Sequence, residues 1–150
     1  MKESASLSSL VFLTQTDTTI GFVSQSAKRL TAIKQRPPYK HYIKAVDSLQ
    51  TLNRFTRIPK LHRKRVRRAR RTTFIMPGGD SYRVVYDPHH LLLLRRLKWA
   101  YTTSANRSGE PYDKTFAIQQ ADVVVAPLGK TQKPSTIYRL GKTKLQRIRP

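Results

Sequence analysis

Residues 73–97, TFIMPGGDSYRVVYDPHHLLLLRRL, carry strand and helix signals in direct succession. Thr73–Met76 and Ser81–Tyr86 are rich in β-branched and aromatic residues, and the Pro-Gly-Gly-Asp between them is typical of a hairpin turn. Asp87 and Pro88 then supply an N-cap and a first helical residue for a helix through the leucine run. A strand pair followed at once by a capped helix predicts a mixed α/β fold.

The same alternation continues towards the N-terminus. Leu10–Leu13 predicts a short strand, and Ser26 is an N-cap for a helix that Pro37-Pro38 stops. His41–Val46 predicts another strand, and Asp47-Ser48 caps a short helix after it. Strands and helices therefore alternate along the first half of the chain, as they do in α/β proteins.

Four more strands are predicted towards the C-terminus. Tyr101–Thr103 and Val123–Val125 are expected to be buried, and Thr136–Leu140 and Leu145–Ile148 are expected to form a closing pair. The elements together predict a twisted, open, mixed β-sheet with covering helices. The length of 150 residues favours one domain, residues 1–150.

The charge of the chain limits its partners. Thirty Lys and Arg residues stand against 8 Asp and Glu, which gives a formal net charge of +22. This balance argues against an acidic activation tail and against a binder of cationic ligands. A chain this basic is expected to bind polyanions such as nucleic acid, phosphorylated small molecules or anionic surfaces.

Other composition features exclude several classes of site. The chain has no cysteine, so disulfides, thiolate zinc sites and cysteine nucleophiles are excluded. Its four histidines lack metal-ligand spacing, and we predict no metal site. No apolar run approaches the length of about 20 residues that a membrane span needs, and the first fifteen residues lack a secretory signal. The expected location is the cytoplasm, without membrane association.

A basic segment, Arg54–Arg71, interrupts the regular pattern with ten Lys and Arg residues in eighteen positions. Leu61, Val66 and Ala69 offer only a thin apolar stripe, so we expect a solvated helix or flexible arm that docks loosely. Phe55 is its only aromatic residue, which favours phosphate contacts over base stacking. The candidate RNA-binding residues are Arg63, Lys64, Arg67, Arg68, Arg70 and Arg71.

Several polar motifs are ordinary when taken singly. Hydroxyl-rich turns and scattered cations are common in a basic protein, and each of these motifs is also consistent with an unliganded turn or a solvated charge. Their order along the chain is more informative. The succession is Thr16-Asp17-Thr18-x-x-Gly21, Ile33-Lys34-x-Arg36-Pro37, Thr72-Thr73, Arg83-Val84-x-x-Asp87, Thr103-Ser104-Ala105-Asn106-x-Ser108-Gly109, Ala121-Asp122-Val123-Val124, Pro134-Ser135-Thr136-Ile137 and Ile148-Arg149-Pro150.

This succession resembles the YrdC/TsaC family of threonylcarbamoyl-AMP synthases over nearly the whole chain. The resemblance implies a YrdC-like twisted mixed sheet around a deep basic site. It implies a nucleotidyltransferase that combines L-threonine, bicarbonate and ATP, usually with Mg²⁺, to give threonylcarbamoyl-adenylate. Partner proteins of a threonylcarbamoyl-transferase complex then carry the group to tRNA, so the family serves tRNA processing.

The resemblance also implies roles for individual residues. No covalent nucleophile is expected, because the reaction needs positioning and charge neutralisation. Lys34 and Arg36 are expected to be exposed and to clamp the phosphates. The implied ATP-binding residues are Lys34, Arg36, Ser104, Asn106 and Arg149. The implied threonine-binding residues are Thr16, Thr18, Thr73, Arg83 and Ser135.

The chain departs from the family pattern at a few positions. Gln15 stands where the family usually has proline, and Ala69-Arg70-Arg71 replaces its usual Pro-Gly-Pro. The alternative to a synthase is a non-catalytic RNA-binding protein on the same scaffold, with double-stranded RNA or tRNA as its partner. A ribosomal protein would fit the composition but not the ordered motifs.

Overall fold

The computed structural model describes residues 6–37, 40–129 and 132–150. Its α-helices are α1 (Ala27–Lys34), α2 (Leu49–Phe55), α3 (Arg63–Arg68), α4 (Pro88–Leu97) and α5 (Lys114–Gln120). Its strands are β1 (Phe12–Gln15), β2 (Ile20–Ser24), β3 (Ile43–Val46), β4 (Thr72–Ile75), β5 (Ser81–Val84), β6 (Trp99–Ser104), β7 (Val123–Val124), β8 (Thr136–Leu140) and β9 (Leu145–Arg149). Short 3₁₀ turns occur at Leu7–Ser9 and Lys60–His62.

All nine strands belong to one open sheet in the order β7-β1-β2-β6-β3-β5-β4-β8-β9. Three neighbouring pairs, β1/β7, β3/β5 and β4/β8, are parallel, and the other neighbours are antiparallel. The predicted fold class, a twisted, open, mixed sheet with covering helices, is therefore confirmed.

Alternating residues of the central strands point to opposite faces of the sheet. Ala45 pairs with Ala100 on the face that the leucines of α4 cover, which we call the α4 face. Val46 pairs with Trp99 on the other face, where α1 and α2 pack, which we call the α1–α2 face. The sheet is thus buried in its middle by helices on both faces.

The helix starts follow the capping residues that the sequence contains. The side chains of Ser26, Ser48 and Asp87 accept hydrogen bonds from backbone N–H groups in the first turns of α1, α2 and α4. These three N-caps and the Pro77–Asp80 hairpin are confirmed, whereas Pro38 lies outside the described residues. Among the described residues, no helix combines the length and apolarity needed to cross a membrane.

A strand was predicted at Val123–Val125 and expected to be buried, and the expectation of burial was wrong. The structure contains a two-residue strand at the sheet edge, where Val123 and Val124 are 37% and 40% exposed. An edge strand pairs on one side only, so it needs no apolar cover on its outer side. β-branched residues alone therefore did not distinguish an edge from the middle of the sheet.

The basic segment contains the helix α3 with its cations exposed, which is one of the two expected forms, but it docks less loosely than expected. Val66 of α3 is 1% exposed and packs in one core cluster with Leu52, Phe74 and Leu140. His62 is buried as well, and its Nε2 lies 3.1 Å from the carbonyl oxygen of Gly141. The segment is fixed through a few buried side chains while its cations remain outside.

Candidate functional site

A cavity of about 370 Å³ lies at the ends of β2, β3 and β6, and we call it the candidate cavity. It collects side chains from segments far apart in the chain, because the sheet order places β5 and β8 near β3. Six of the ten predicted ATP- and threonine-binding residues line it: Thr18, Arg36, Arg83, Ser104, Ser135 and Arg149. The other four, Thr16, Lys34, Thr73 and Asn106, stand behind or beside its wall.

Arg83 is held by a buried partner. Strand β5 directs it to the α4 face, where its Nη2 lies 3.1 Å from Oδ1 of Asp17 in the β1–β2 loop. The two side chains are only 4% and 5% exposed, so this ion pair is shielded from water. The Nε of Arg83 is buried and has no hydrogen-bond partner among the described residues.

Ser135 connects two other predicted residues. Its hydroxyl is 2.8 Å from the Thr73 hydroxyl, and Arg149 donates from Nε to its carbonyl oxygen and from Nη2 to its hydroxyl. Thr73 is 1% exposed and therefore supports Ser135 from behind instead of lining the cavity. Partial burial, and then the charge of Arg83, lower the pKa of Arg149, so two guanidinium groups act on the same space.

Lys34 was predicted to be exposed, and this was wrong. It is 4% exposed at the end of α1, and its ammonium donates to the carbonyls of Ser104 and Asn106 at 2.8 and 2.7 Å. The side-chain oxygen of Asn106 accepts a third, longer bond. Burial, and then the charge of Arg36, lower the pKa of Lys34 to about 8. The ammonium therefore fixes the loop after β6.

That loop is fixed at several points. The Ser104 hydroxyl donates to the Asn106 side chain, whose amide donates in turn to the carbonyls of Arg107 and Glu110 at 2.9 and 2.7 Å. The N–H of Ser108 donates to the carbonyl of Lys34. The Ser-Ala-Asn motif is thus a rigid support that presents Ser104 to the cavity.

The Thr-Asp-Thr motif forms a closed turn. The Thr16 hydroxyl donates to the carbonyl of Thr19 at 2.6 Å and accepts from the N–H of Thr18 at 3.1 Å. The position after this turn requires glycine, Gly21, because a Cβ there would come within 2.8 Å of the carbonyl oxygen of Thr103. The close approach that this glycine allows is therefore to the backbone of β6.

Sequence reasoning missed several residues of the site. His41, Tyr42 and Thr102 line the cavity, and the Arg36 guanidinium lies 4.6 Å from the centre of the Tyr42 ring. The mutual register of β3 and β6 brings them together, and no local motif signals it. Asp17 lay inside a quoted motif, but its pairing with Arg83 depends on the tertiary fold.

His90 is a second buried group that the sequence did not assign. It is 1% exposed, and neither ring nitrogen has a hydrogen-bond partner among the described residues. Burial lowers the pKa of His90 to about 4, against the opposing effect of Asp17. The imidazole is therefore neutral near pH 7, beside the Asp17–Arg83 pair.

The cavity is rich in donors and poor in acids. None of the residues that line it is Asp or Glu, and the described residues hold no group of three metal-ligating side chains. Three arginines and several hydroxyls face one space, which suits an anionic ligand with hydrogen-bond acceptors.

The six predicted RNA-binding cations are all exposed but face three different depressions. The first takes Arg63, Lys64 and Arg67, the second Lys64 and Arg68, and the third Arg70 and Arg71. Arg70 and Arg71 thus face a different depression from the other four, and the role of the basic segment in RNA binding stays a prediction.

The sequence and the fold of the chain are similar to those of known proteins. The sequence profile of the Sua5, YciO and YrdC proteins, whose description is "Telomere recombination", matches residues 10–150. This chain belongs to the Sua5/YciO/YrdC family. The profile covers the cavity and the sheet together, so the resemblance found in the ordered motifs is confirmed.

Two solved structures of the family share the fold. Sua5 of P. abyssi, solved in complex with L-threonine, superposes with a TM-score of 0.76 at 19% identity, over 94% of this chain and 50% of that chain. E. coli YciO superposes with a TM-score of 0.72 at 19% identity, over 94% of this chain and 82% of that chain. At these identities the likeness shows the fold alone.

A curated relative is more similar in sequence. The uncharacterized MG259 homolog of Mycoplasma pneumoniae is 34% identical over 143 residues, which is 88% of this chain and 30% of the relative. The chain thus spans less than a third of the length of that relative. This member of the Sua5/YciO/YrdC family corresponds to one part of a longer protein there.

Proposed function

We propose that this chain is a threonylcarbamoyl-adenylate synthase, which uses L-threonine, bicarbonate and ATP in the candidate cavity. The observation that carries the proposal is the convergence of Arg36, Arg83 and Arg149 with the hydroxyls of Thr18 and Ser135 on one acid-free cavity. A triphosphate and an amino-acid carboxylate both need fixed cationic donors. The structure of a family member with L-threonine bound further supports an amino-acid ligand.

The proposed reaction needs no protein nucleophile. The amine of threonine attacks the carbon of CO₂ derived from bicarbonate, loses a proton and becomes a carbamate. An oxygen of the carbamate then attacks the α-phosphorus of ATP, and the bond to the β-phosphate oxygen breaks. The products are threonylcarbamoyl-adenylate, pyrophosphate and the water that bicarbonate loses when it supplies CO₂. The protein contributes by aligning the reactants and compensating the charge of the leaving group.

We assign the residues that line the cavity to two groups, one that would bind threonine and one that would bind ATP. Arg83 is suited to the threonine carboxylate because Asp17 holds its guanidinium in place, and Thr18 and Ser135 lie near it. Arg36 and Arg149 would hold the nucleotide phosphates together with Ser104. In this proposal Lys34, Thr73 and Asn106 are positioning residues, because they contact the cavity wall and not its space.

Mg²⁺ would enter as part of the substrate. It is usually held by one or two carboxylates together with substrate phosphates. Since no carboxylate lines the cavity, the oxygens of the triphosphate would hold the ion in place of protein carboxylates. MgATP would therefore be the species that binds. The arginines would then neutralise the charge that the metal leaves uncompensated.

The proposed product determines which reaction must follow. Threonylcarbamoyl-adenylate is a reactive mixed anhydride, so a threonylcarbamoyl-transferase must take it up before water hydrolyses it. We place this step in the cytoplasm, with tRNA as the final acceptor. The alternative remains a non-catalytic, RNA-binding protein on the same scaffold.

The test is threonine-dependent pyrophosphate release from ATP, with bicarbonate and Mg²⁺ present. We expect release from the unchanged chain and a loss of about 100-fold in Arg36→Met, which removes a phosphate donor. Arg96→Met is the matched control, because Arg96 is exposed on α4 away from the cavity. No release from the unchanged chain, together with retained folding, would favour the non-catalytic alternative.

A further inference from the structure

The α1–α2 face carries a groove of about 530 Å³ that the proposed reaction does not use. Three lysines line it, Lys28, Lys40 and Lys44, and Asp80 is its one acid. It shares His41 and Tyr42 with the candidate cavity, and register separates the rest: Lys44 pairs with Tyr101 and Tyr82, whereas the next residue pairs with Arg83 on the opposite face. We call it the aromatic groove.

Rings from two strands and a helix gather beside this groove, and Tyr82 and Tyr101 line it. Trp99 meets Tyr101 edge to face at a centroid distance of 5.3 Å and Phe55 at 5.8 Å, and Phe55 stacks on Tyr82 at 6.5 Å. The ammonium of Lys44 lies 4.0 Å from the centre of the Phe55 ring and 4.6 Å from that of Trp99. Burial in this environment lowers the pKa of Lys44. The groove therefore combines ring surfaces with positive charge.

The groove adjoins the basic segment at Phe55. The Phe55 ring contacts Lys44 and Tyr82 of the groove, is 37% exposed, and lines a neighbouring depression of about 860 Å³. Its cations are Arg54, Arg57, Arg63, Lys64 and Arg67, and no acid lines it. Phe55 thus stands between two cationic surfaces, and one extended polyanion could follow both.

We infer that the aromatic groove and this depression form a binding surface for single-stranded RNA. Eight lysines and arginines against one aspartate give the charge complementarity for a phosphate backbone. Exposed ring surface beside the path allows unpaired bases to stack, which a duplex does not offer. Hydroxyls of Thr31 and Ser81 line the groove and can bond to a 2′-hydroxyl, which favours RNA over DNA.

The single tryptophan of the sequence provides a local reporter, because Trp99 lies in the ring cluster. The experiment titrates the full chain with an unstructured RNA of about 12 nucleotides, within the range that single-strand sites cover. Tryptophan emission and the anisotropy of the labelled RNA are followed at several salt concentrations. A hairpin duplex and a single-stranded DNA of the same sequence are titrated in parallel.

We expect single-stranded RNA to quench Trp99 and to bind at least several-fold more tightly than the duplex or the DNA. Lys28→Gln with Lys40→Gln should weaken binding about 10-fold. It should also lower the salt slope by about 1.4, the value for two lost phosphate contacts on a single strand. Arg95→Gln with Arg96→Gln removes the same charge from α4 and should change affinity less than 2-fold.

Phe55→Leu keeps an apolar side chain without the ring and should weaken binding about 10-fold. Unchanged circular dichroism in each variant shows that the fold is kept. Binding without Trp99 quenching, equal loss in both charge pairs, or tighter binding of the duplex would overturn the surface assignment. Equal affinity for DNA would overturn the choice of RNA. Pyrophosphate release should be unaffected by Lys28→Gln with Lys40→Gln, so this test is independent of the proposed synthase activity.

Discussion

The cations of the candidate cavity and those of the basic segment have the same charge in opposite surroundings. Arg83 pairs with Asp17, Lys34 donates to three oxygens, and Arg149 donates to Ser135. In the basic segment, no cation takes part in an ion pair within the described residues. Arg70 lies 3.8 Å over the Tyr86 ring, and Arg70 and Arg71 donate to backbone carbonyls at the surface. Arg83 and Lys34 are therefore held in the interior, whereas the cations of the basic segment are exposed, where they can attract a mobile chain.

The largest effect is expected when the buried ion pair is broken. Arg83→Met leaves the Asp17 carboxylate buried without a partner, which should lower the free energy of unfolding by about 3–5 kcal/mol. Urea unfolding measures this loss. The matched control is Lys98→Met, since Lys98 is 62% exposed and 4.0 Å from Asp47, a pair worth less than about 1 kcal/mol. Similar losses in both variants would show that the cavity cations are no better fixed than surface ones.

A second prediction concerns the loss of stability at low pH that the buried His90 should cause. The pKa of His90 is lowered to about 4 in the fold, so the unfolded chain binds its proton first as the pH falls through 6.5. The unfolded state then holds more protons, and stability should fall by about 3 kcal/mol between pH 6.5 and pH 4. His90→Leu should remove most of this slope in urea unfolding. An unchanged slope in His90→Leu would assign the acid sensitivity to other groups.

A third prediction separates the two motif cations. Lys34→Met leaves the carbonyls of Ser104 and Asn106 without their donor and should lower stability by about 2 kcal/mol. Arg36→Met should change stability by less than about 1 kcal/mol, because Arg36 donates one bond, to the carbonyl of His41. Thermal unfolding of the two variants tests this directly. Equal stability losses would restore the expectation that both side chains are simply exposed phosphate ligands.

The smallest effect is expected in the basic segment. The triple change Arg63→Gln, Lys64→Gln and Arg67→Gln removes three exposed charges and should leave stability within about 0.5 kcal/mol per site. At low salt the variant should be slightly more stable, because like-charge repulsion falls. Urea midpoints at two salt concentrations provide the measurement. A loss of several kcal/mol would mean that these cations support the fold as the cavity cations do.

Local chemistry explains what could be predicted. N-caps such as Ser26 and Asp87 act on backbone groups within three residues, so sequence spacing was enough to place α1 and α4. The order of the motifs further identified the family and six of the cavity residues. Capping residues and the order of motifs can both be read along a single sequence, without knowledge of which strands are neighbours.

Side-chain partners across the sheet could not be predicted in the same way. That Lys34 is buried against the loop after β6, or that Thr73 lies behind Ser135, depends on strand order and register. The basic segment shows the same limit: its only aromatic residue, Phe55, meets Trp99 and Tyr82, which come from distant strands. The expectation of phosphate contacts over base stacking considered only neighbours in sequence, and it stays a prediction.

The two outer strands have a consequence for self-association. The edge of a sheet offers unpaired N–H and C=O groups to any second copy of the chain. Strand β7 is only two residues long, and β9 carries Arg147 on an exposed strand that follows Lys142 and Lys144. A second molecule that added a strand to β9 would bring its own excess of positive charge against these cations. The same composition that attracts polyanions therefore also opposes fibril growth from the exposed end of the sheet.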